Sequence, residues 1–168
     1  MLNVQTLSVT PLPQLASTLQ RHEAAIGTLS GARVWDEAVT ALAAIPTGRL
    51  LEAVNATVNQ NRYIPDRGDY WAAPLELFAA GGDCEDFAIA KYLILRALGL
   101  PSGSMRVVVL FASPQVPEHA VLVVATSNGA WVLDNLEATP YQYSPAVAGR
   151  MAYAFNETGM WVGLGSRR

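Results

Sequence analysis

Hydrophobic positions along this chain follow two periods, and the change falls near Pro101. Before it they recur at helical spacing; after it they run in short, β-branched blocks. Residues 1–13 read as extended, closed by Pro11 and Pro13, and Pro13 suits a first helical turn. Residues 14–26 are predicted helical, with Leu15, Leu19 and Ile26 on one side and Arg21, His22 and Glu23 on another. On that polar face His22 is expected to be a solvated surface residue. Ser30-Gly31 reads as a break before a second helix over 34–45, which Pro46 ends. Thr47 can cap a third helix over 48–60, with Leu50, Leu51, Val54 and Val58 as core candidates. Residues 1–60 are therefore expected to form a helical lobe.

Residues 61–74 change character, with Tyr63, Pro65, Asp69, Tyr70, Trp71 and Pro74 in an aromatic, turn-rich loop. A short helical turn is expected over 75–80. Gly81-Gly82 then delivers a long apolar helix, 84–98, stopped by Gly99 and Pro101. Strands are predicted over 105–111, 119–126 and 130–135, with a proline-bearing loop at 113–118 and a turn at Ser127-Asn128-Gly129. Residues 136–149 look looser, 153–155 and 160–162 read as edge strands, and 163–168 as a frayed tail. The apolar runs imply a sheet covered on both faces. The fold class expected is α+β in one domain over 1–168: a helical lobe (1–60), a cleft loop and helix (61–100), and an antiparallel sheet lobe (104–162).

Composition narrows the function. The chain has 168 residues, 51% hydrophobic and 15% charged, which places it among globular domains. A net charge of −3 without a basic run argues against nucleic acid as the main partner. No apolar stretch reaches membrane-spanning length, so no membrane insertion is expected. The first residues lack a basic start followed by an apolar run, so they do not read as a signal peptide; a cytoplasmic protein or a mature fragment both fit. A single cysteine excludes an internal disulfide and a multi-thiolate zinc site.

That cysteine, Cys84, stands at the first position of the long helix, after Asp83 as a potential N-cap. Backbone N–H groups and the helix dipole there favour thiolate and can hold an oxyanion. Against this, a lone cysteine is commonly a small buried hydrophobe. The carboxylates of Asp83, Glu85 and Asp86 also oppose thiolate, unless an imidazolium or a bound cation compensates. Glu85 and Asp86 also suit an ordinary first helical turn.

His119 opens one predicted strand and Asp134 closes the next, so a hairpin brings both to one side of the sheet. A loop centred between Thr126 and Ser127 would set them directly opposite. A two-residue turn at Asn128-Gly129 would pair Asp134 with Val123 and leave His119 four residues, roughly 13 Å, away. A triad thus predicts the wider loop or a bulge. If the two meet, His119 takes the Cys84 proton and Asp134 orients the imidazole. Otherwise His119 is a strand-start residue and Asp134 an Asx-turn residue. Trp71 is a candidate indole donor to an oxyanion, or a core plug.

Asp69-Tyr70-Trp71-Ala72-Ala73-Pro74, the block Gly82-Asp83-Cys84-Glu85-Asp86-Phe87-Ala88-Ile89-Ala90-Lys91-Tyr92, His119-Ala120-Val121-Leu122 and Trp131-Val132-Leu133-Asp134-Asn135 together resemble the bacterial transglutaminase-like cysteine proteinases of the LapG type, over residues 59–161. The resemblance implies a papain-like/transglutaminase-like fold and a cysteine endopeptidase with Cys84, His119 and Asp134 as its triad. It implies calcium held by Asp83 and Glu85, with Asp86 as a further candidate. It implies a periplasmic enzyme that cleaves a large surface adhesin near its N-terminus, at paired alanines, to release cells from a biofilm. The implied partner besides the substrate is an inner-membrane receptor that senses cyclic-di-GMP. Two alternatives use the same residues: acyl transfer to an amine, as in transglutaminases, or a relict calcium-dependent binding module.

Overall fold

The computed structural model describes residues 4–65, 68–112 and 117–163. Helices come first. Pro13 opens α1 (Pro13–Ile26), as its fixed φ and missing N–H suit a first helical position. Thr28 accepts a hydrogen bond from the Gly31 backbone N–H and starts α2 (Leu29–Ala43). The break expected at Ser30-Gly31 is therefore not there: the cap lies upstream, and both residues sit in the first turn. A 3₁₀ turn at Thr47–Arg49 leads into α3 (Leu50–Val58), and Thr47 does not act as the cap expected of it.

The short helix α4 (Pro74–Ala80) precedes the long α5 (Cys84–Ala97). Between them the chain doubles back tightly. Gly81 has φ 88°, and a Cβ there would overlap the Arg62 carbonyl oxygen. A Cβ on Gly82 would overlap the Asp86 carboxylate. Only glycine fits either place, so the pair fixes how α5 begins. Ten of the fourteen residues of α5 are buried, Ile89, Ala90, Lys91, Ile94 and Leu95 completely. A helix buried on nearly every side is the centre of the molecule.

One antiparallel sheet packs on α5. Its strands are β1 (Val4–Ser8), β2 (Met105–Leu110), β3 (His119–Thr126), β4 (Gly129–Leu133), β5 (Tyr141–Gln142), β6 (Met151–Asn156) and β7 (Gly159–Gly163). Their spatial order is β1-β7-β6-β2-β3-β4-β5. The expected edge strands β6 and β7 are thus internal, and the edges are β1 and β5. Residues 4–8, assigned from sequence to the helical lobe, join the sheet against β7. The looser segment holds β5 and α6 (Pro145–Gly149). The expected loop at 113–118 and tail at 163–168 lie mostly outside the described residues.

Strand alternation divides the sheet. Val107, Val109, Ala120, Leu122, Val124, Leu133 and Phe155 face the core shared with α5. Val108, Leu110, Val121, Val123, Val132 and Ala154 face the other way, against Tyr141, Tyr143 and Val147. The architecture is α+β, with the cysteine helix laid on an antiparallel sheet.

His22 departs from the sequence reading. It is 7% exposed, and its ring meets Trp35 of α2 edge-on at 4.5 Å. Its helical neighbours are polar, but α2 covers that face. Burial lowers the imidazole pKa, with Glu23 opposing, so His22 is a neutral core residue.

Candidate active site

The residues that converge come from the start of α5, the start of β3 and the end of β4. Asp83 precedes α5 in an extended conformation, and its backbone N–H donates to Asp86 Oδ2 at 3.0 Å. Asp86 Oδ1 accepts from the Ala72 N–H at 2.6 Å. Asp86 is 3% exposed and ties the cleft loop to the helix start. Its oxygens are committed to backbone, which sets it apart from the other two acids named as metal candidates.

Cys84 is partly buried. Its thiol donates to Glu85 Oε2 at 3.3 Å, and the backbone N–H of Ala120, the residue after His119, favours its thiolate form. This places the sulfur at the head of β3. Burial, then the Glu85 charge, push the thiol up to about 12, and the Ala120 N–H only partly offsets them. Glu85 is raised to about 8 by burial and by its hydrogen bond with Asp83. Asp83, Cys84 and Glu85 place one ligand atom each within 4.8 Å of one another. Two half-buried carboxylates this close share a proton or a cation.

His119 and Asp134 do meet. Nε2 lies 2.7 Å from Asp134 Oδ1, with both residues buried. Neither register foreseen from sequence brings this about. The turn is the two-residue Ser127-Asn128, with Thr126 paired to Gly129, and pairing ends at Leu122 with Leu133. Continuing that register sets Asp134 beside Val121, two residues from His119 and on the same side of the sheet. The contact is diagonal, within reach of a histidine and an aspartate. No wide loop or bulge is needed.

The carboxylate is held from several directions. Oδ1 also accepts from the Leu136 N–H at 2.9 Å, and Oδ2 accepts from Tyr141 Oη at 3.1 Å. Asn59 Nδ2 donates to the Asp134 carbonyl at 2.8 Å. Burial works to raise the Asp134 pKa, but the hydrogen bonds from His119 and Leu136 outweigh it, and the group stays below the usual carboxylate value. With Nε2 bound to an ionised Asp134, the imidazole carries its other nitrogen, Nδ1, as the proton acceptor.

Trp71 is brought to the core rather than to the thiol. Its indole N–H donates to Asp69 Oδ1 at 2.9 Å, and its ring stacks on Phe155 with centroids 4.7 Å apart. At 5% exposure it is a core plug, and a nearer acceptor has taken the N–H proposed for an oxyanion. Tyr63, in contrast, is 50% exposed and feels the charges of Cys84, Asp83 and Glu85, so it stands at the cleft.

Sequence reasoning missed Tyr141, Asn59 and Lys91. Lys91 is fully buried two turns along α5 from Cys84, and its Nζ finds no hydrogen-bond acceptor among the described residues. Burial pulls its pKa down to about 7, and the attraction of Asp134 opposes the drop. The one signal available was the spacing of Asn55 and Asn59 on the buried side of α3. Asn55 Nδ2 reaches the Glu137 carbonyl at 2.9 Å. Tyr141 is supplied by a two-residue strand too short to read.

These features agree with the comparisons. The family model described as bacterial transglutaminase-like cysteine proteinase matches residues 33–167. Solved structures of Legionella pneumophila LapG are similar. One is 30% identical, with a TM-score of 0.67, and the match covers 94% of this chain and 92% of that one. A calcium-bound form is 28% identical, with a TM-score of 0.66, covering 91% and 92%. An EGTA-treated form is 29% identical, with a TM-score of 0.67, covering 95% and 90%. No curated protein sequence matches the chain. A family match across most of the chain, a fold shared with LapG and a single thiol at the head of α5 lead to one assignment: the chain belongs to the bacterial transglutaminase-like cysteine proteinase family, and it is a cysteine protease.

Proposed function

We propose that this protein is a calcium-dependent endopeptidase in which Cys84 is the nucleophile, His119 the general base and acid, and Asp134 the group that orients the histidine. One observation carries the reading: His119 Nε2 is held by Asp134 at 2.7 Å, while the backbone N–H that follows His119 favours the thiolate form of Cys84. His119 Nδ1 takes the thiol proton, and the sulfur attacks the scissile carbonyl carbon. Backbone N–H groups at the start of α5 receive the oxyanion. Collapse breaks the C–N bond, and the imidazolium gives its proton to the leaving amine. Water, deprotonated by the same nitrogen, then releases the acyl group from sulfur.

The local charge needs a counterpart. Asp83 and Glu85 oppose thiolate, and burial with the Asp83 hydrogen bond raises the Glu85 carboxyl. Hard oxygen donors suit calcium, with backbone and water completing its six to eight ligands. Asp83 and Glu85 would hold it; Asp86, tied to two backbone N–H groups, would shape the loop instead. Such an ion would add positive charge next to the thiol. The solved calcium-bound relative supports this reading.

The substrate we propose is a large surface adhesin, cleaved near its N-terminus at paired alanines to release cells from a biofilm. Periplasmic action, and sequestration by an inner-membrane receptor that senses cyclic-di-GMP, complete the proposal. These three parts rest on the family resemblance. The test is incubation of the protein with the N-terminal region of the adhesin from the same cells. Two fragments are expected in calcium, and none with chelator or with Cys84→Ser. Intact substrate with a labelled primary amine stably attached to a glutamine would contradict proteolysis and indicate acyl transfer.

A further inference from the structure

Among the described residues Arg106 is a cation without a counter-ion. It lies in β2, on the sheet face that α5 does not cover, paired across the ladder with Val123. Among the described residues no carboxylate forms an ion pair with it, and its buried Nε has no acceptor. The other described arginines of the sheet lobe and its neighbouring helix end differ. Arg96 is bound to Glu157 at 3.0 Å, and Arg150 to the Phe111 carbonyl at 3.0 Å. Arg106 instead has its guanidinium carbon over the Trp161 ring, 4.2 Å from the centroid. A guanidinium held over an aromatic ring keeps its fork of N–H donors, which matches a carboxylate.

The surroundings form a site rather than a gap. Arg106 and Trp161 line a groove of ≈ 990 Å³ on this face, with Ser104, Val123, Tyr143 and Ala148 among its walls. The Tyr143 hydroxyl is buried and has no partner among the described residues. One cation, one phenol unpartnered among the described residues, and the hydroxyls of two serines and two threonines stand among apolar walls. That is the composition of a pocket for a small, partly apolar ligand with one anionic end. It is also separate from the thiol: Val123 lies four strand residues from His119, roughly 13 Å.

We propose that this groove binds a carboxylate carried on an apolar body, with Arg106 receiving the carboxylate and Trp161 and the neighbouring strand and helix residues packing on the apolar part. The site stands apart from the cleavage reaction and does not depend on it. Burial of Arg106 without a counter-charge lowers its pKa, and a bound anion would remove that imbalance. Because the guanidinium acts as a fork, lysine at the same position supplies charge without the paired donors.

The experiment is calorimetric titration of the full chain with N-acetyl-phenylalanine and with its neutral amide. A four-residue peptide ending in phenylalanine, as acid and as amide, forms the second arm, and inorganic phosphate the third. Saturable binding of the acids, at least tenfold tighter than of the amides, is expected. Arg106→Gln should abolish it, and Arg106→Lys should weaken it several-fold, while peptide cleavage by either variant stays as in the parent. A peptide tighter than the single residue identifies a chain end as the ligand; equal affinity identifies a free acid. Equal binding of acid and amide, unchanged binding in the lysine variant, or binding of phosphate alone would overturn the proposal. If the glutamine variant does not fold, the lysine variant and the acid–amide comparison decide.

Discussion

Asp134 reaches His119 diagonally, at 2.7 Å, from a position two residues out of direct opposition. The carboxylate is fixed by the Leu136 N–H and Tyr141 Oη as well, so its place does not depend on the histidine alone.

Asp134→Asn should therefore keep the fold and lose the charge. The amide oxygen can still accept from His119 Nε2 and the Leu136 N–H, with the NH2 turned to Tyr141 Oη, but the imidazolium that forms loses its ionised partner. A fall in kcat of about 10²–10⁴ with little change in KM is expected, measured on a fluorogenic peptide substrate. Tyr141→Phe removes one of several bonds to the same carboxylate and should cost less than about tenfold. Equal effects of the two would mean that Tyr141 has a larger role than holding Asp134.

The two kinds of acid at the start of α5 should separate by mutation. Asp86→Ala would leave the buried Ala72 and Asp83 N–H groups unpaired and should destabilise the protein by about 2–5 kcal/mol in chemical denaturation, with or without calcium. Glu85→Gln should leave the metal-free protein folded and reduce the rise in melting temperature that calcium gives. A calcium response retained in full by Glu85→Gln would place the ion elsewhere.

Lys91 gives a pH prediction. Its folded-state pKa, about 7, lies below its ordinary value of 10.5. Between those values the unfolded chain binds more protons than the folded one, so this group makes stability rise with pH. Below about 7 both states carry the charge and its burial penalty is fully present. Lys91→Met should thus stabilise the fold by about 1–4 kcal/mol at pH 6, with the gain shrinking towards pH 10.5. Urea denaturation at several pH values measures this; a variant less stable at pH 6 would show that the charge is satisfied in the fold.

The start of α5 was legible in the sequence because local rules set it: two glycines where a Cβ would clash, an acid before the helix and a long apolar stretch. The approach of His119 to Asp134 was legible as a possibility, but not its register. Gly129 opens β4 instead of lying in the turn, and a diagonal contact tolerates a shift that direct opposition does not. His22 was misjudged, and Trp71 was left between two readings, for one reason. Their fates depend on α2, Phe155 and Asp69, and no periodicity within a segment shows what another segment lays against it. The same holds for Tyr141 and for the exposed or buried state of Lys91.

The most direct test is the pH dependence of Cys84 alkylation by iodoacetamide, followed by intact mass, in calcium and in chelator. The chain has one cysteine, so the signal has one source. The account predicts fast alkylation well below pH 8 in calcium, slowed in His119→Ala. In chelator the profile should move upward, towards the high value that burial and Glu85 impose. A profile with an ordinary thiol midpoint near 8.5, the same in calcium and chelator and unaffected by His119→Ala, would contradict it.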